Sequence, residues 1–415
     1  MPAAPPPKTC LLQFRNCRIL RDHKIYRDDL WVRAGKIINP EKIFFDERIV
    51  ADIQVDCNNS ILTPGFIDAQ INGACGVDFS DVDSDVTEGV STVAKHLLEH
   101  GVTSFCPTVI TSPPESYHKI LPQIKRSQGG AEGAGVLGVH LEGPFISKAK
   151  KGAHPEVYIC DLENGFSDLV DMYGNLDQVS VVTLAPEYPR SEEVIKECVS
   201  RGITVSVGHS MANLVQGEEA VCQGAGFITH LFNAMLPFHH RDPHLVGLLT
   251  SERIPKDRTI FYGLISDGIH THPAALRIAH RVHPDGLVLV TDAMRAMGLP
   301  EGTYSFGKQS VDIKGKTATL TGTDTLAGSI ARMDVCVRHF AKSTSCGNVL
   351  ALEAASLHPA QMLGITKSKG TLDFNTDADF ILLDDSLQVR ATYIAGQQVW
   401  VADDVTLRET SLQEA

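Results

Sequence analysis

The sequence predicts an α/β protein: a (β/α)8 TIM-like barrel with a small β-sandwich domain formed from the N- and C-terminal segments. Three observations predict it. Past Pro64, eight apolar runs alternate with amphipathic stretches. The two chain ends read instead as short alternating strands. Four of the eight runs end in a residue able to bind a metal or move a proton.

The elements follow in chain order. Residues 1–8 are proline-rich and expected to be a loose tail, as is the charged segment 404–415. Segments LLQFRNCRIL, YRDDLWVRAGKII, RIVADIQVD and SILTPG alternate with period two between turn residues, so they predict strands. DADFILLDDSLQVRATYIAGQQVWV returns to that pattern. One domain from 10–63 and 372–403 is the economical assignment, with the barrel, 64–371, inserted between its halves. The barrel runs are GFIDAQI, TSFCPTVI, GVLGVHLEG, VSVVTLAPE, ITVSVGHS, GFITHLFN, TIFYGLISDG and LVLVTDA. Continuous apolar runs bounded by glycine are what strands buried on both faces require, hence a parallel sheet. VTEGVSTVAKHLLEHG, PESYHKILPQIKRS, SEEVIKECVSRG, MANLVQGEEAVCQG and HPAALRIAHRVHP predict helices between them. A β-hairpin insertion is predicted near 303–321, with helices after it in IARMDVCVRHFAKS and VLALEAASLHPAQMLG. An open doubly wound sheet is the alternative, but no GxGxxG follows a strand.

A net charge of -13 argues against nucleic acid as a partner. It leaves room for a small anion in a local basic pocket. Ten cysteines are scattered with no CxxC pair, no run approaches the roughly 20 apolar residues of a membrane span, and MPAAPPPKTC lacks a signal-peptide core. The expectation is buried, reduced thiols, no membrane, and the cytosol.

Glu142 in GVHLEGPF, His209 in VSVGHS, His230 in FITHLFNAM and Asp292 in LVLVTDA stand where strand gives way to loop, the catalytic face of a barrel. One carboxylate and two imidazoles are a catalytic zinc set with a fourth position for water. Such an ion makes hydroxide available near neutral pH. Asp292 is then placed to take the water's proton and return it to a leaving nitrogen.

PGFIDAQING, HLEGPF, GAHPE, VGHS, THLFNAM, DGIH and VTDAM, in this order, resemble the amidohydrolase superfamily. Within it they are most similar to the N-acetylglucosamine-6-phosphate deacetylase family, eukaryotic type, from about Leu11 to Trp400. The resemblance implies zinc-dependent deacetylation of N-acetyl-D-glucosamine 6-phosphate in amino-sugar catabolism and salvage. Many superfamily members carry His-x-His at the end of the first strand for one of two metals. Here the pair is Gln70 and Asn72. Amides are poorer zinc ligands than imidazole, so one zinc per subunit is expected, with the amides as hydrogen-bonding groups nearby.

The resemblance also implies that His154 polarises the acetamide carbonyl, with Ala153 beside it in the pocket. Asn233, Ala234 and Arg241 are implied at the sugar phosphate, Arg241 reaching the neighbouring site of a homodimer. Asp267, Gly268, Ile269 and His270 form the substrate loop, and Leu326, Ala327 and Gly328 a wall around the N-acetyl group. Two other readings stand: a cyclic amide as substrate (dihydroorotase or hydantoinase type), which the amide pair argues against, and a metal-free scaffold, which the intact Glu142, His209, His230 and Asp292 argue against.

Overall fold

The structure, a computed structural model, describes residues 10–411 except 256, 307 and 308. Tail residues 1–8 and 412–415 lie outside that range. Each of the eight apolar runs contains a parallel strand: β1 Phe66–Ile71, β2 Val102–Ile110, β3 Val139–Glu142, β4 Val179–Leu184, β5 Thr204–Val207, β6 Phe227–Ile228, β7 Phe261–Leu264 and β8 Leu287–Leu289. They pair in sequence order. The ring closes beyond the ends of β8 and β1, through a parallel bridge Ile71–Ala293 and the bonds Asp292 N→Gln70 O and Asn72 N→Ala293 O, both 2.8 Å. That seam rules out the open sheet. The barrel interior is apolar at one level, where Ala69, Val181, Phe227, Val288 and Val290 pack together. A polar layer adjoins it: His140 bonds Ala69 O and Thr183 Oγ1, Thr183 bonds Thr229, and Thr229 bonds Ser206.

Helices cover the outside. Val86–Leu97 starts at Asp85, whose side chain accepts from Glu88 N. Leu214–Gln223 starts with a reciprocal capping box between Asn213 and Gln216. Pro114–Ile120 is shorter than its sequence pattern suggests, because Leu121–Gln123 tightens to a 3-10 turn around Pro122. Phe166–Tyr173, after β3, was not anticipated. No helix among the described residues is long and apolar enough to cross a membrane. All ten cysteines are free, and Cys222 is exposed.

The two chain ends build a second unit of nine strands. Strand Leu11–Arg21 is its hub. A bulge between Phe14 and Cys17, where Asn16 has φ 54°, splits it into two halves. Leu12–Arg15 pairs with Ile53–Asp56, and Arg18–Ile19 with Ile61–Leu62. A strand that changes partners at a bulge is how one sheet folds over into two layers. Phe380–Leu383 then pairs antiparallel with Ile61–Pro64, joining the C-terminal segment to the N-terminal one. Phe380 stacks on Tyr393 and meets the edge of Phe14, both at 4.8 Å, inside that core. Phe380→Ala is expected to destabilise the fold by about 3–5 kcal/mol, read by denaturant unfolding. A cost under about 1 kcal/mol would show that the site collapses around the lost ring.

Two sequence expectations need correction. Within 404–415, Arg408–Ser411 is a strand paired with Ile53–Asp56, because that strand offers an open edge. The insertion is a four-stranded antiparallel sheet, Gly302–Phe306, Gln309–Lys314, Thr317–Leu320 and Leu326–Gly328, rather than a hairpin. Its last strand leads to Ser329, which bridges Ala293, so this sheet stands beside the end of β8.

Candidate active site

His209, His230 and Asp292 each follow a barrel strand with positive φ, at 47°, 26° and 47°. Non-glycine residues rarely adopt that backbone, and they do so mainly where the surroundings over-determine it. Here the sharp turn brings the side chains together over the barrel mouth. Glu142, the last residue of β3, meets them. Glu142 Oε1 is 3.2 Å from His209 Nε2 and 3.1 Å from His230 Nε2, and the two Nε2 atoms are 3.0 Å apart. His209 Nδ1 bonds the Lys150 carbonyl at 2.8 Å. That fixes its N–H there and leaves Nε2 a lone pair.

Two imidazole nitrogens and a carboxylate oxygen at these spacings require positive charge among them. Burial alone would raise the Glu142 carboxyl, but its bonds and charge interactions with His209 and His230 hold it well below the usual range. Burial pulls His230 down, but Glu142 outweighs it and raises the imidazole to about 9. A divalent ion suits the same donors better than a proton, because all three can bind it at once. The residues therefore fit a metal of the catalytic type.

Gln70 and Asn72 do face one side together, and both reach Asp292. Asn72 Nδ2 donates to Asp292 Oδ1 at 2.8 Å and Gln70 Nε2 at 3.2 Å, while Gln70 Nε2 also donates to Glu142 Oε1 at 2.9 Å. The amides thus tie a metal-capable carboxylate to the candidate base. The side chain of Asp68, two residues earlier, accepts from Thr291 Oγ1 at 2.5 Å and so braces the strand end that carries Asp292. Burial and the Glu142 charge push Asp292 up to about 6, against His230 and the Asn72 bond. Gln70→Leu would leave two buried carboxylates short of a donor. The expected result is a loss of about 10–100-fold in activity with the metal retained, measured as kcat beside metal content.

His154 sits against His209, ring centroids 4.6 Å apart. Thr111 lies at its Nδ1, Oγ1 at 2.8 Å and the backbone N–H donating at 3.4 Å. With Nδ1 accepting, Nε2 carries the hydrogen. Burial and the His209 charge push the ring down to about 3, so it is a neutral donor. Gly143, with φ 78°, makes room for this: a Cβ there would fall 2.3 Å from Thr111 Oγ1.

A cavity of about 410 Å3 opens above these groups. Asn72, Glu142, Ala153, His154, His209, His230, Asn233, Ala234, His270, Asp292 and Leu326–Gly328 line it, the last three from the inserted sheet. Asp267 does not; it stands behind His270, accepting from its backbone N–H at 2.8 Å and meeting its Nδ1 at 2.6 Å. Ile269 is exposed and Gly268 packs toward His339, so neither lines the cavity. Arg241 is also outside it, exposed on its loop. Sequence reasoning missed Arg295 and Asp78, which line the cavity as an ion pair between the loops after β8 and β1.

The amidohydrolase family model matches residues 61–399. The chain belongs to the amidohydrolase family. Among its members, N-acetylglucosamine-6-phosphate deacetylase of Danio rerio is 64% identical over 391 residues, 94% of this chain and 97% of that one. The Homo sapiens protein of the same name is 64% identical over 394 residues, 95% and 96% of the two chains. Solved structures agree in fold. N-acetylglucosamine-6-phosphate deacetylase of Thermotoga maritima superposes with TM-score 0.78 at 29% identity, covering 94% of this chain and all of its own. A mutant Mycobacterium smegmatis enzyme, solved with N-acetyl-D-glucosamine-6-phosphate, gives 0.77 at 29%, covering 95% and 100%. Amidohydrolases are metal-dependent, which agrees with the donor set at Glu142, His209 and His230.

Proposed function

We propose that this protein hydrolyses the acetamide of N-acetyl-D-glucosamine 6-phosphate to D-glucosamine 6-phosphate and acetate, using one Zn2+ held by Glu142, His209 and His230. The observation that carries the reading is the convergence of these donors with Asp292 and His154 on one cavity, in a chain 64% identical to deacetylases of that name.

When bound, the ion polarises the carbonyl and acidifies the attacking water. Asp292 takes that water's proton on its carboxylate and returns it to the amide nitrogen as the C–N bond breaks. The Gln70 and Asn72 donors keep it aimed while its charge changes. His154 donates its Nε2 hydrogen to the carbonyl oxygen as negative charge develops there. Asp267 orients His270 toward the sugar. Leu326, Ala327 and Gly328 enclose the N-acetyl methyl. Asn233 and Ala234 face the phosphate side, and Arg241, exposed in its own subunit, completes that side across a homodimer. The setting is cytosolic amino-sugar salvage.

The test is acetate release by the purified chain, before chelation, after it, and after zinc return. Turnover that follows zinc and falls at least about tenfold on the unphosphorylated sugar, the loss of one good phosphate contact, supports the reading. A folded, zinc-loaded protein that releases no acetate would overturn it.

A further inference from the structure

The sequence HLLEH, residues 96–100, spans the end of helix Val86–Leu97 and its 3-10 continuation Leu98–His100. Two histidines four apart with an acid between them share one helix face, a metal-capable spacing. Glu99 Oε1 lies 3.1 Å from His96 Nδ1 and 3.2 Å from His100 Nε2. The two rings stand edge to face, centroids 5.0 Å apart. A tetrahedral ion with bonds of about 2.0–2.1 Å has donor–donor edges of about 3.3 Å, which both Glu99 edges match, and all three atoms lie within 4.8 Å of one another.

We propose that His96 Nδ1, Glu99 Oε1 and His100 Nε2 form a second, non-catalytic site for a transition-metal ion of the Zn2+ class. Two further observations support it. His100 is only 4% exposed, and its Nε2 makes no hydrogen bond although Glu99 Oε1 is so close. The contact is wrongly angled for N–H···O, but a shared cation satisfies both atoms. Behind the ring, His100 Nδ1 lies 3.3 Å from Asp334 Oδ1, and Asp334 is held by Arg338 at 2.7 Å. Oδ1 makes no hydrogen bond there, so Asp334 acts on the ring through its charge, which favours a cation at the imidazole. Arg332 acts on His96 and Glu99 and opposes a cation; Glu99 and Asp334 offset it.

None of the three donors lines the catalytic cavity. They sit at the closure seam instead. A Cβ on Gly298 would lie 2.6 Å from His96 Nε2 and 3.0 Å from Cys75 Sγ, and Cys75 N donates to Met297 O across the loops after β1 and β8. Asp334 belongs to helix Met333–Thr344. An ion here pins the end of the helix after β1 beside helix Met333–Thr344, next to the seam where the barrel ring is joined by few bonds.

The experiment equilibrates the full chain with micromolar Zn2+, removes free metal and counts bound zinc by mass spectrometry. The wild type is expected to hold about two equivalents, and Glu99→Gln and the double variant His96→Asn/Glu99→Gln about one, with deacetylation unchanged. His230→Gln is expected to lose the other equivalent and keep this one. Zinc should raise the thermal midpoint of the wild type more than that of Glu99→Gln. A wild type that holds a single equivalent, lost in His230→Gln, overturns the proposal and leaves a protonated ion-pair cluster. Two equivalents retained in both Glu99 variants would place the second ion elsewhere and overturn it too.

Discussion

Asp292→Asn is expected to lower kcat by about 10^2–10^4-fold, the usual contribution of a positioned general acid–base, while the metal content stays unchanged. The substitution keeps the shape and an oxygen able to accept from Asn72 Nδ2 and Gln70 Nε2, so the seam between β8 and β1 should hold. What it removes is the proton acceptor. The pH profile isolates this role. Burial and Glu142 hold the Asp292 carboxyl up at about 6. A base works only when deprotonated, so wild-type kcat should level off above that pH. Below it, kcat should fall about tenfold per unit as the proton stays on. A bound cation shifts the limb downward by favouring the carboxylate, without changing its sign. The variant should lack that limb. A variant with wild-type kcat, or with the same limb, would remove Asp292 from proton transfer.

Much of the barrel was legible because burial on both faces forces a recognisable texture. Even β6, only Phe227–Ile228, was visible through its flanking run GFITHLFN. The donor residues were legible as types at strand ends. Their positive φ was not, since backbone handedness leaves no mark on a histidine or aspartate. The pairing of Gln70 and Asn72 followed from strand alternation; that both serve Asp292 did not, because that contact spans more than 200 positions. The same distance hid the ion pair of Asp78 with Arg295. Strand Arg408–Ser411 is polar throughout and exists because Ile53–Asp56 has an edge to offer, which no local pattern announces. Phe166–Tyr173 is a helix of eight residues between glycines, too short for its periodicity to stand out. Asp267 looked like a pocket residue from its motif, and only the loop's fold turned it into the support of His270.

His209→Gln and His230→Gln should each release the catalytic ion and reduce kcat by about 10^3-fold or more. The ion supplies several kcal/mol to amide hydrolysis, and each 1.36 kcal/mol is a factor of ten. The two variants are not equivalent. His209 is anchored by the Lys150 carbonyl at 2.8 Å, and Gly152, with φ 55°, passes close enough that a Cβ there would lie 3.5 Å from its ring. Losing that ring also frees the loop carrying His154, so His209→Gln should weaken oxyanion assistance as well as metal binding. His230 has no such anchor among the described residues: its Nε2 meets Glu142 Oε1 at 3.1 Å, and its buried Nδ1 makes no hydrogen bond. His230→Gln should therefore remove a ligand and leave the His154 loop in place. With excess zinc forcing the site full, it should recover more of its kcat than His209→Gln. Metal retention with normal turnover in either variant would show that the ion is held by other groups. Equal recovery in both would show that the His209 anchor does not hold the loop carrying His154.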